Sequence, residues 1–180
     1  MRKRRDFWWW ILEVLIEEAE IRRKVGELGR MINTEYKDKK PILIGVLKGA
    51  FMFLADLLRE IEIAVEVDFL SIHSYDGTES SGVVRITHDL SLNIEDRHVI
   101  LVEDIIDTGR TVSYILENLQ TRRPSSLVVC SLLSKETRRV VDVPLTYVGF
   151  TIPSAFVVGY GLDYDNRYRN LKYIGVLDDK

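Results

Sequence analysis

The stretch that decides the fold reads Val-Ile-Leu-Val-Glu-Asp-Ile-Ile-Asp-Thr-Gly-Arg-Thr and occupies positions 99–111. Its apolar beginning, Val99–Val102, predicts a buried strand, which we expect Glu103 and Asp104 to end. The turn Asp107–Thr111 then leads into a helix, because apolar residues recur at helical spacing in Val112, Ile115, Leu116 and Leu119. A buried strand, a short turn and an amphipathic helix form the first half of a βαβ unit.

The turn after this strand has the features of a phosphate-binding site. Backbone N–H groups at the start of a helix, together with the helix dipole, favour a bound phosphate. Gly109 lets the backbone approach a ligand closely, and Thr108 and Thr111 add hydroxyl donors. Neither the GxxxxGK[ST] motif nor the GxGxxG motif occurs in the chain, so a monophosphate fits better than a polyphosphate. The alternative is an ordinary solvated helix start, where acidic residues are also common.

The carboxylates beside this turn give it a further chemical role. Glu103, Asp104 and Asp107 can accept hydrogen bonds from sugar hydroxyls and hold cationic charge near the phosphate. A carboxylate can also stabilise positive charge that develops on a sugar ring. The pattern is therefore typical of a site for a sugar phosphate.

The rest of the chain alternates apolar strands with amphipathic helices. This alternation predicts an α/β fold with a mainly parallel sheet, whose ligands lie beyond the carboxyl ends of the strands. The rule points to Lys48-Gly49, to Glu103–Thr111 and to the region after Leu133. The segment His73–Asp89 is rich in Ser, Gly, Thr and Asp, and predicts a long mobile loop or a loose hairpin with a functional role. The predicted helices cover about 17–35 and begin again near 51, and the predicted strands are 42–47, 65–69, 127–133, 145–150, 156–159 and 173–177.

Composition limits the remaining possibilities. The 180 residues, 46% of them hydrophobic, predict a single domain over 1–180 with an atypical extension at 1–12. The only cysteine, Cys130, lies in a predicted strand and is interpreted as a buried apolar residue, which suits a reducing cytoplasm. A net charge of -3 gives no general attraction to nucleic acid or to an anionic membrane. His73, His88 and His98 lack metal-ligand spacing, and Arg138-Arg139 is interpreted as solvated surface or as a basic rim that attracts phosphates.

An ordered set of motifs resembles the hypoxanthine-guanine phosphoribosyltransferase family. Residues 102–111 resemble the phosphoribosyl-diphosphate signature of the type I phosphoribosyltransferases. The resemblance runs from about Glu13 to Leu177, and its other motifs appear in the family's order. They are Leu47-Lys48-Gly49, Ser74-Tyr75, Lys135, Phe156-Val157-Val158-Gly159-Tyr160, Leu162-Asp163-Tyr164 and Arg169.

The resemblance implies a fold, a reaction and a set of partners. The fold is the type I phosphoribosyltransferase fold, a mainly parallel central sheet flanked by helices, with a small hood formed by the N- and C-terminal segments. The reaction is the Mg²⁺-dependent transfer of a 5-phosphoribosyl group from phosphoribosyl diphosphate to N9 of hypoxanthine or guanine, releasing pyrophosphate. The implied assembly is a homodimer or homotetramer, while the single cysteine favours the cytoplasm and the net charge disfavours membrane or nucleic-acid partners.

The same resemblance implies a role for each motif residue. Asp107 would be the general base at the purine ring nitrogen, and Ser74-Tyr75 would belong to a loop that closes over the site. The peptide bond Leu47-Lys48 can be cis in the family. The ribose and 5-phosphate would be held by Glu103, Asp104, Asp107, Thr108, Gly109, Arg110 and Thr111. The pyrophosphate would be held by Lys48, Gly49 and Arg169, the purine by Lys135, Phe156, Val157 and Asp163, and Mg²⁺ by Glu103, Asp104 and Asp163.

Three alternatives to hypoxanthine or guanine salvage are considered. A regulatory RNA-binding protein with the same fold, like the pyrimidine attenuation proteins, needs a basic surface, which the net charge does not support. An adenine enzyme is disfavoured because the adenine amino group cannot accept a hydrogen bond from Lys135. A xanthine enzyme remains open. Glu136 stands where the family often has proline, a departure that affects the loop but leaves the Lys135 ammonium in place.

Overall fold

The computed structural model describes residues 12–74 and 84–177. None of the helices it describes is long and apolar enough to cross a membrane. A single 3-10 turn covers Glu136–Arg138 in this part of the chain. The helices are α1 (Glu18–Glu35), α2 (Phe51–Arg59) and α3 (Arg110–Gln120), and the strands are β1 (Leu12–Ile16), β2 (Ile42–Leu47), β3 (Glu66–Ser74), β4 (Val84–His88), β5 (His98–Ile106), β6 (Ser126–Ser134), β7 (Leu145–Thr151), β8 (Val157–Val158) and β9 (Ile174–Leu177).

Six strands form the central sheet in the order β4-β3-β2-β5-β6-β7. Every neighbouring pair is parallel except β3 and β4, as the alternation of strands and helices predicts. Side chains of β2 alternate between two cores, because successive residues of a strand point to opposite faces. Leu43 packs with the residues of α1 and α2, whereas Ile42 and Ile44 pack with those of α3. Helices therefore cover both faces of the sheet, and its carboxyl edge is left open for a ligand.

A second, smaller sheet joins the two ends of the described chain. Its order is β1-β9-β8, and both pairs are antiparallel. Leu12 pairs with Leu177, and Val157 pairs with Val176. This sheet confirms the predicted hood of N- and C-terminal segments. Residues 1–11 of the predicted extension lie outside the described residues.

The strand β5 is longer than its sequence predicts. Glu103 and Asp104 do not end it, because β6 continues to pair with it until Ile106 lies opposite Ser134. The apolar residues Ile105 and Ile106 extend the ladder beyond the two acids. The acidic residues therefore lie within a strand, and this gives their backbone a fixed geometry.

Part of the segment His73–Asp89 is ordered as a hairpin arm. His73 and Ser74 end β3, and Val84–His88 forms β4, which pairs antiparallel with β3. The loose hairpin is thus the correct alternative for the described part, and Tyr75 lies outside the described residues. Beside this hairpin, the buried carboxylate of Asp68 accepts hydrogen bonds from the backbone N–H groups of Ser91 and Leu92, both at 2.8 Å.

Candidate active site

The predicted phosphate turn is built around a glycine. Gly109 caps α3 with φ 82° and ψ -14°, a left-handed conformation that favours glycine. A Cβ at this position would lie 2.5 Å from the carbonyl oxygen of Val141. The carbonyl of Thr108 accepts hydrogen bonds from the N–H groups of Val140 and Val141, at 3.0 and 3.1 Å. The segment after β6 therefore packs directly on this turn and fixes its shape.

The turn encloses a cavity of about 240 Å³ at the start of α3. Arg110 is exposed and is not among the residues that line it. Except for Arg110, the structure brings together the residues predicted to hold the ribose and 5-phosphate. The lining consists of Glu103, Asp104, Ile105, Ile106, Asp107, Thr108, Gly109, Thr111 and Val112.

A larger cavity, of about 630 Å³, adjoins the first one. The two cavities share Asp104, Ile105 and Asp107, so a ligand that spans both would pass these residues. The larger cavity brings together every residue predicted for the pyrophosphate and the purine. Its lining consists of Lys48, Gly49, Asp104, Ile105, Asp107, Lys135, Arg138, Ser154, Ala155, Phe156, Val157, Leu162, Asp163 and Arg169.

The acidic pair on β5 is held in an environment that disfavours its charge. Burial raises the pKa of the Glu103 carboxyl well above its usual range, and the adjacent Asp104 raises it further. Burial likewise raises the pKa of Asp104, although the N–H of Ile105 and the charge of Arg169 oppose this effect. A bound cation would stabilise both carboxylates in their charged forms. The pair is therefore suited to a ligand that brings positive charge or a metal ion.

Asp107 lies between two cationic side chains. The Lys135 ammonium is 3.3 Å from Oδ2 of Asp107, and Nε of Arg138 is 3.3 Å from Oδ1. Lys135 is only 5% exposed, so it is not the solvated lysine that a charged turn normally carries. Because Lys135 directly follows β6, the parallel pairing of β5 and β6 brings it to Asp107. A carboxylate and an ammonium are thus held side by side in the larger cavity.

The predicted pyrophosphate residues converge from two parts of the chain. Lys48-Gly49 follows β2, and the Leu47-Lys48 peptide bond is cis. A Cβ on Gly49 would lie 1.7 Å from Oδ2 of Asp104, so only glycine allows this approach. Arg169 donates a hydrogen bond of 2.6 Å to the carbonyl of Gly161 and lies 2.6 Å from Oδ1 of Asp163. The Arg169 guanidinium is therefore fixed at the wall of the cavity.

An aromatic side chain stands at the mouth of the larger cavity. Phe156 is 48% exposed, and its ring contacts Tyr164 edge to face with centroids 5.7 Å apart. Val157 follows it in β8 and is buried. Tyr160 packs in the interior, where its hydroxyl donates a hydrogen bond to Asp56 at 2.7 Å. The exposed ring of Phe156 leaves a face available for stacking on a flat ligand.

The two predicted loop residues and Arg138 stand apart from the site residues described above. The loop residue Ser74 is the last residue of β3, and Tyr75 lies outside the described residues. Arg138, for which the sequence leaves solvated surface or a basic rim open, is exposed, yet it also lines the larger cavity and contacts Asp107. The sequence indicates its place in the site only weakly, because the only sign is that Arg138 lies three residues after Lys135. Cys130 is fully buried, as expected.

The oxygen ligands at the site fit a magnesium ion. Asp104 and Asp163 line the larger cavity, and Glu103 lines the smaller one beside Asp104. Among residues 12–74 and 84–177, three or more His, Cys, Asp or Glu side chains do not converge into a complete cage. Magnesium is usually held by one or two carboxylates together with substrate phosphates and waters. These carboxylates therefore suit an ion that arrives with a phosphorylated substrate.

Comparison with known proteins places this geometry in a family. Residues 15–165 match the model of the phosphoribosyl transferase domain. The chain is 50% identical to the hypoxanthine phosphoribosyltransferase of Salmonella typhimurium, over 91% of this chain and 94% of that protein. It is also 50% identical to the hypoxanthine-guanine phosphoribosyltransferase of Bacillus subtilis, over 93% of each chain.

Solved structures and longer relatives agree with this match. A hypoxanthine-guanine phosphoribosyltransferase structure from Bacillus anthracis superposes with a TM-score of 0.89 at 42% identity, covering 93% of this chain and 99% of that one. The chain is 49% identical to the bifunctional protein TilS/HprT of Listeria monocytogenes, and it spans 26% of that protein's length. The chain thus has the type I phosphoribosyltransferase fold and belongs to the hypoxanthine phosphoribosyltransferase branch of the phosphoribosyltransferase family.

Proposed function

We propose that this protein transfers the 5-phosphoribosyl group of phosphoribosyl diphosphate to N9 of hypoxanthine or guanine, in purine salvage. The observation that carries the proposal is the pair of adjoining cavities that share Asp104 and Asp107. The smaller cavity offers donors that a sugar phosphate would need, and the larger one is lined by an exposed aromatic ring and by several cationic side chains. The products would be inosine or guanosine monophosphate and pyrophosphate.

The 5-phosphate would bind in the smaller cavity. Its donors there are the backbone N–H groups at the start of α3 and the hydroxyls of Thr108 and Thr111. The helix dipole adds a favourable field for the phosphate charge. Glu103 and Asp104 would then face the ribose hydroxyls, directly or through a magnesium ion. Arg110 would contribute from outside the cavity wall.

The purine would lie between Phe156 and Lys135 in the larger cavity. Phe156 offers an exposed ring face for stacking, and the buried Lys135 ammonium offers a donor for the 6-oxo group. A site whose buried donor matches a carbonyl discriminates against adenine, since the adenine amino group leaves that donor unpaired. Val157 and Asp163 would contact the edge of the base. Xanthine also has a 6-oxo group and remains a second candidate substrate.

The transfer reaction would depend on the carboxylate of Asp107. Asp107 would accept the proton of the purine ring nitrogen while this nitrogen attacks C1 of the ribose. The bond between C1 and the pyrophosphate oxygen breaks, and its electron pair leaves with pyrophosphate. Lys48, Gly49 and Arg169 would hold the leaving group, and bound magnesium supplies further positive charge to it. General base assistance of this kind is typically worth about 10²–10⁴-fold in rate.

The loop that contains Ser74 and Tyr75 would close over the reacting centre and exclude water.

We also propose a cytoplasmic homodimer or homotetramer. Val67 and Phe69 support an interface with a second copy, because they lie on one face of β3 and are each 37% exposed. Sedimentation velocity of the wild type and of a Phe69→Ser variant tests this assembly. We expect the variant to sediment as a smaller species than the wild type.

The test of function is a panel of bases. The protein is incubated with phosphoribosyl diphosphate and Mg²⁺ and, in separate reactions, with hypoxanthine, guanine, xanthine, adenine and uracil. Nucleotide is separated by chromatography, and pyrophosphate release is measured in parallel. Turnover of hypoxanthine or guanine, with adenine at background, is expected. Turnover of uracil alone would favour the RNA-binding regulator and overturn the proposal.

A further inference from the structure

Among the described cations that line the larger cavity, Arg138 has no part in the proposed mechanism. We propose that Arg138 is a positioning residue, which holds the Asp107 carboxylate in place when Lys135 turns to the purine. The proposal rests on the proposed function, because it assigns Arg138 a part in the same reaction. Its support comes from the contacts of Asp107, from the position of Lys135 and from the anchoring of residues 135–141.

The two oxygens of Asp107 are divided between two cations. Oδ2 accepts a hydrogen bond from the Lys135 ammonium at 3.3 Å. Oδ1 is buried and accepts no hydrogen bond from the described residues, although Nε of Arg138 lies 3.3 Å away. Arg138 therefore supplies the positive charge nearest to Oδ1, an oxygen that no described donor satisfies.

A bound purine would draw on the same Lys135 ammonium that contacts Asp107. This ammonium lies beside Asp107 when no base is bound, and it would move toward the 6-oxo group when one binds. That movement weakens a partly buried ion pair at the moment when the carboxylate must keep its orientation. A partly buried carboxylate that loses its partner is costly, so a second cation is needed to hold it.

Arg138 is placed to be that second cation. It ends the 3-10 turn Glu136–Arg138, and its backbone N–H donates to the carbonyl of Lys135 at 3.3 Å. Beyond it, the N–H groups of Val140 and Val141 bind the carbonyl of Thr108 in the phosphate turn. The Arg138 backbone is thus anchored to the turn that carries Asp107, independently of the purine.

The experiment compares four proteins: wild type, Arg138→Gln, Arg138→Lys and the control Arg123→Gln. Arg123 forms an exposed ion pair with Glu95 and lines neither cavity, so its loss removes a similar charge elsewhere. For each protein, kcat and KM for hypoxanthine and the Kd for phosphoribosyl diphosphate are measured in Mg²⁺, with thermal unfolding as a check of folding. Failure of wild-type turnover refutes the proposed function, whereas only the variants test Arg138.

The expected result separates kcat from binding. Arg138→Gln lowers kcat about five- to tenfold, the effect of an ion pair with one exposed partner and one buried oxygen. Its Kd for phosphoribosyl diphosphate changes less than about twofold. Arg138→Lys restores at least half of the lost kcat, and Arg123→Gln matches the wild type.

A second arm repeats Arg138→Gln in an Asp107→Asn background. Because Arg138 acts through Asp107, its removal there changes the residual kcat less than about twofold. An equal loss in both backgrounds, or a loss of phosphoribosyl diphosphate affinity without a change in kcat, overturns the proposal. Loss of affinity alone would make Arg138 part of a basic rim that attracts phosphates. An unchanged kcat in Arg138→Gln overturns it as well.

Discussion

Gly109→Ala tests the geometry of the phosphate turn. The new methyl group would occupy a residue with φ 82° and would lie 2.5 Å from the carbonyl oxygen of Val141 and 3.2 Å from Cγ2 of Val143. The left-handed conformation costs an L-residue about 1–2 kcal/mol, and overpacking typically costs about 1–3 kcal/mol. We expect the substitution to lower the free energy of unfolding by about 3 kcal/mol, which lowers Tm by about 6–12 °C for a chain of this size.

The matched control is the same change in a different backbone conformation. Gly26 lies within α1, and a Cβ there would be 3.4 Å from its nearest neighbours, so Gly26→Ala fits without a clash. Removing a helical glycine should raise the free energy of unfolding by about 0.5–1 kcal/mol. Calorimetry gives Tm for both variants, and titration with phosphoribosyl diphosphate and Mg²⁺ gives Kd. A Gly109→Ala protein with wild-type Tm and Kd would refute the reasoning about this turn.

Three other substitutions test the general base, the purine site and a buried carboxylate. Asp107→Asn should lower kcat by about 10²–10⁴-fold while leaving the Kd for phosphoribosyl diphosphate near the wild-type value, and near-normal kcat would remove its role as base. Lys135→Ala should raise KM for hypoxanthine, measured in the base panel; unchanged discrimination against adenine would refute the purine assignment. Asp68→Asn should lower the free energy of unfolding at pH 7 by about 1–3 kcal/mol in urea titrations, because its carboxylate accepts hydrogen bonds in the interior. Burial alone would raise the pKa of Asp68, but the N–H groups of Leu92, Phe69 and Ser91 lower it overall. The Asp68 carboxylate therefore contributes to the free energy of unfolding above its unfolded pKa, and this contribution is lost as the pH falls through its folded pKa. Equal variant and wild-type stabilities at pH 7 would contradict this.

Long periodic elements were predictable from the sequence. The boundaries of β2 agree with the structure, and those of α1 and β6 differ by one residue at most, because buried apolar runs and helical spacing determine them locally. The end of β5 was not predictable from its own residues. Glu103 and Asp104 are typical of a strand end, and only the pairing with β6 keeps them in the ladder.

In the site, too, features set by neighbouring residues could be predicted from the sequence, whereas contacts set by tertiary packing could not. The turn 107–111 could be interpreted locally, because its residues are consecutive and their chemistry is specific. The burial of Lys135 and the contact between Arg138 and Asp107 depend on how β5 and β6 align and on how residues 138–141 pack on the turn. Without that packing, two charged residues on a polar segment indicate solvated surface.

One ligand is expected to span both cavities, with its phosphate at the start of α3 and its base beside Phe156. The most direct test is a crystal structure of the protein grown with inosine monophosphate and with Mg²⁺ and pyrophosphate. We expect phosphate density among the backbone N–H groups of Thr108–Thr111, with the 6-oxo group within hydrogen-bond distance of Lys135. A nucleotide bound elsewhere, with the turn empty, would contradict it.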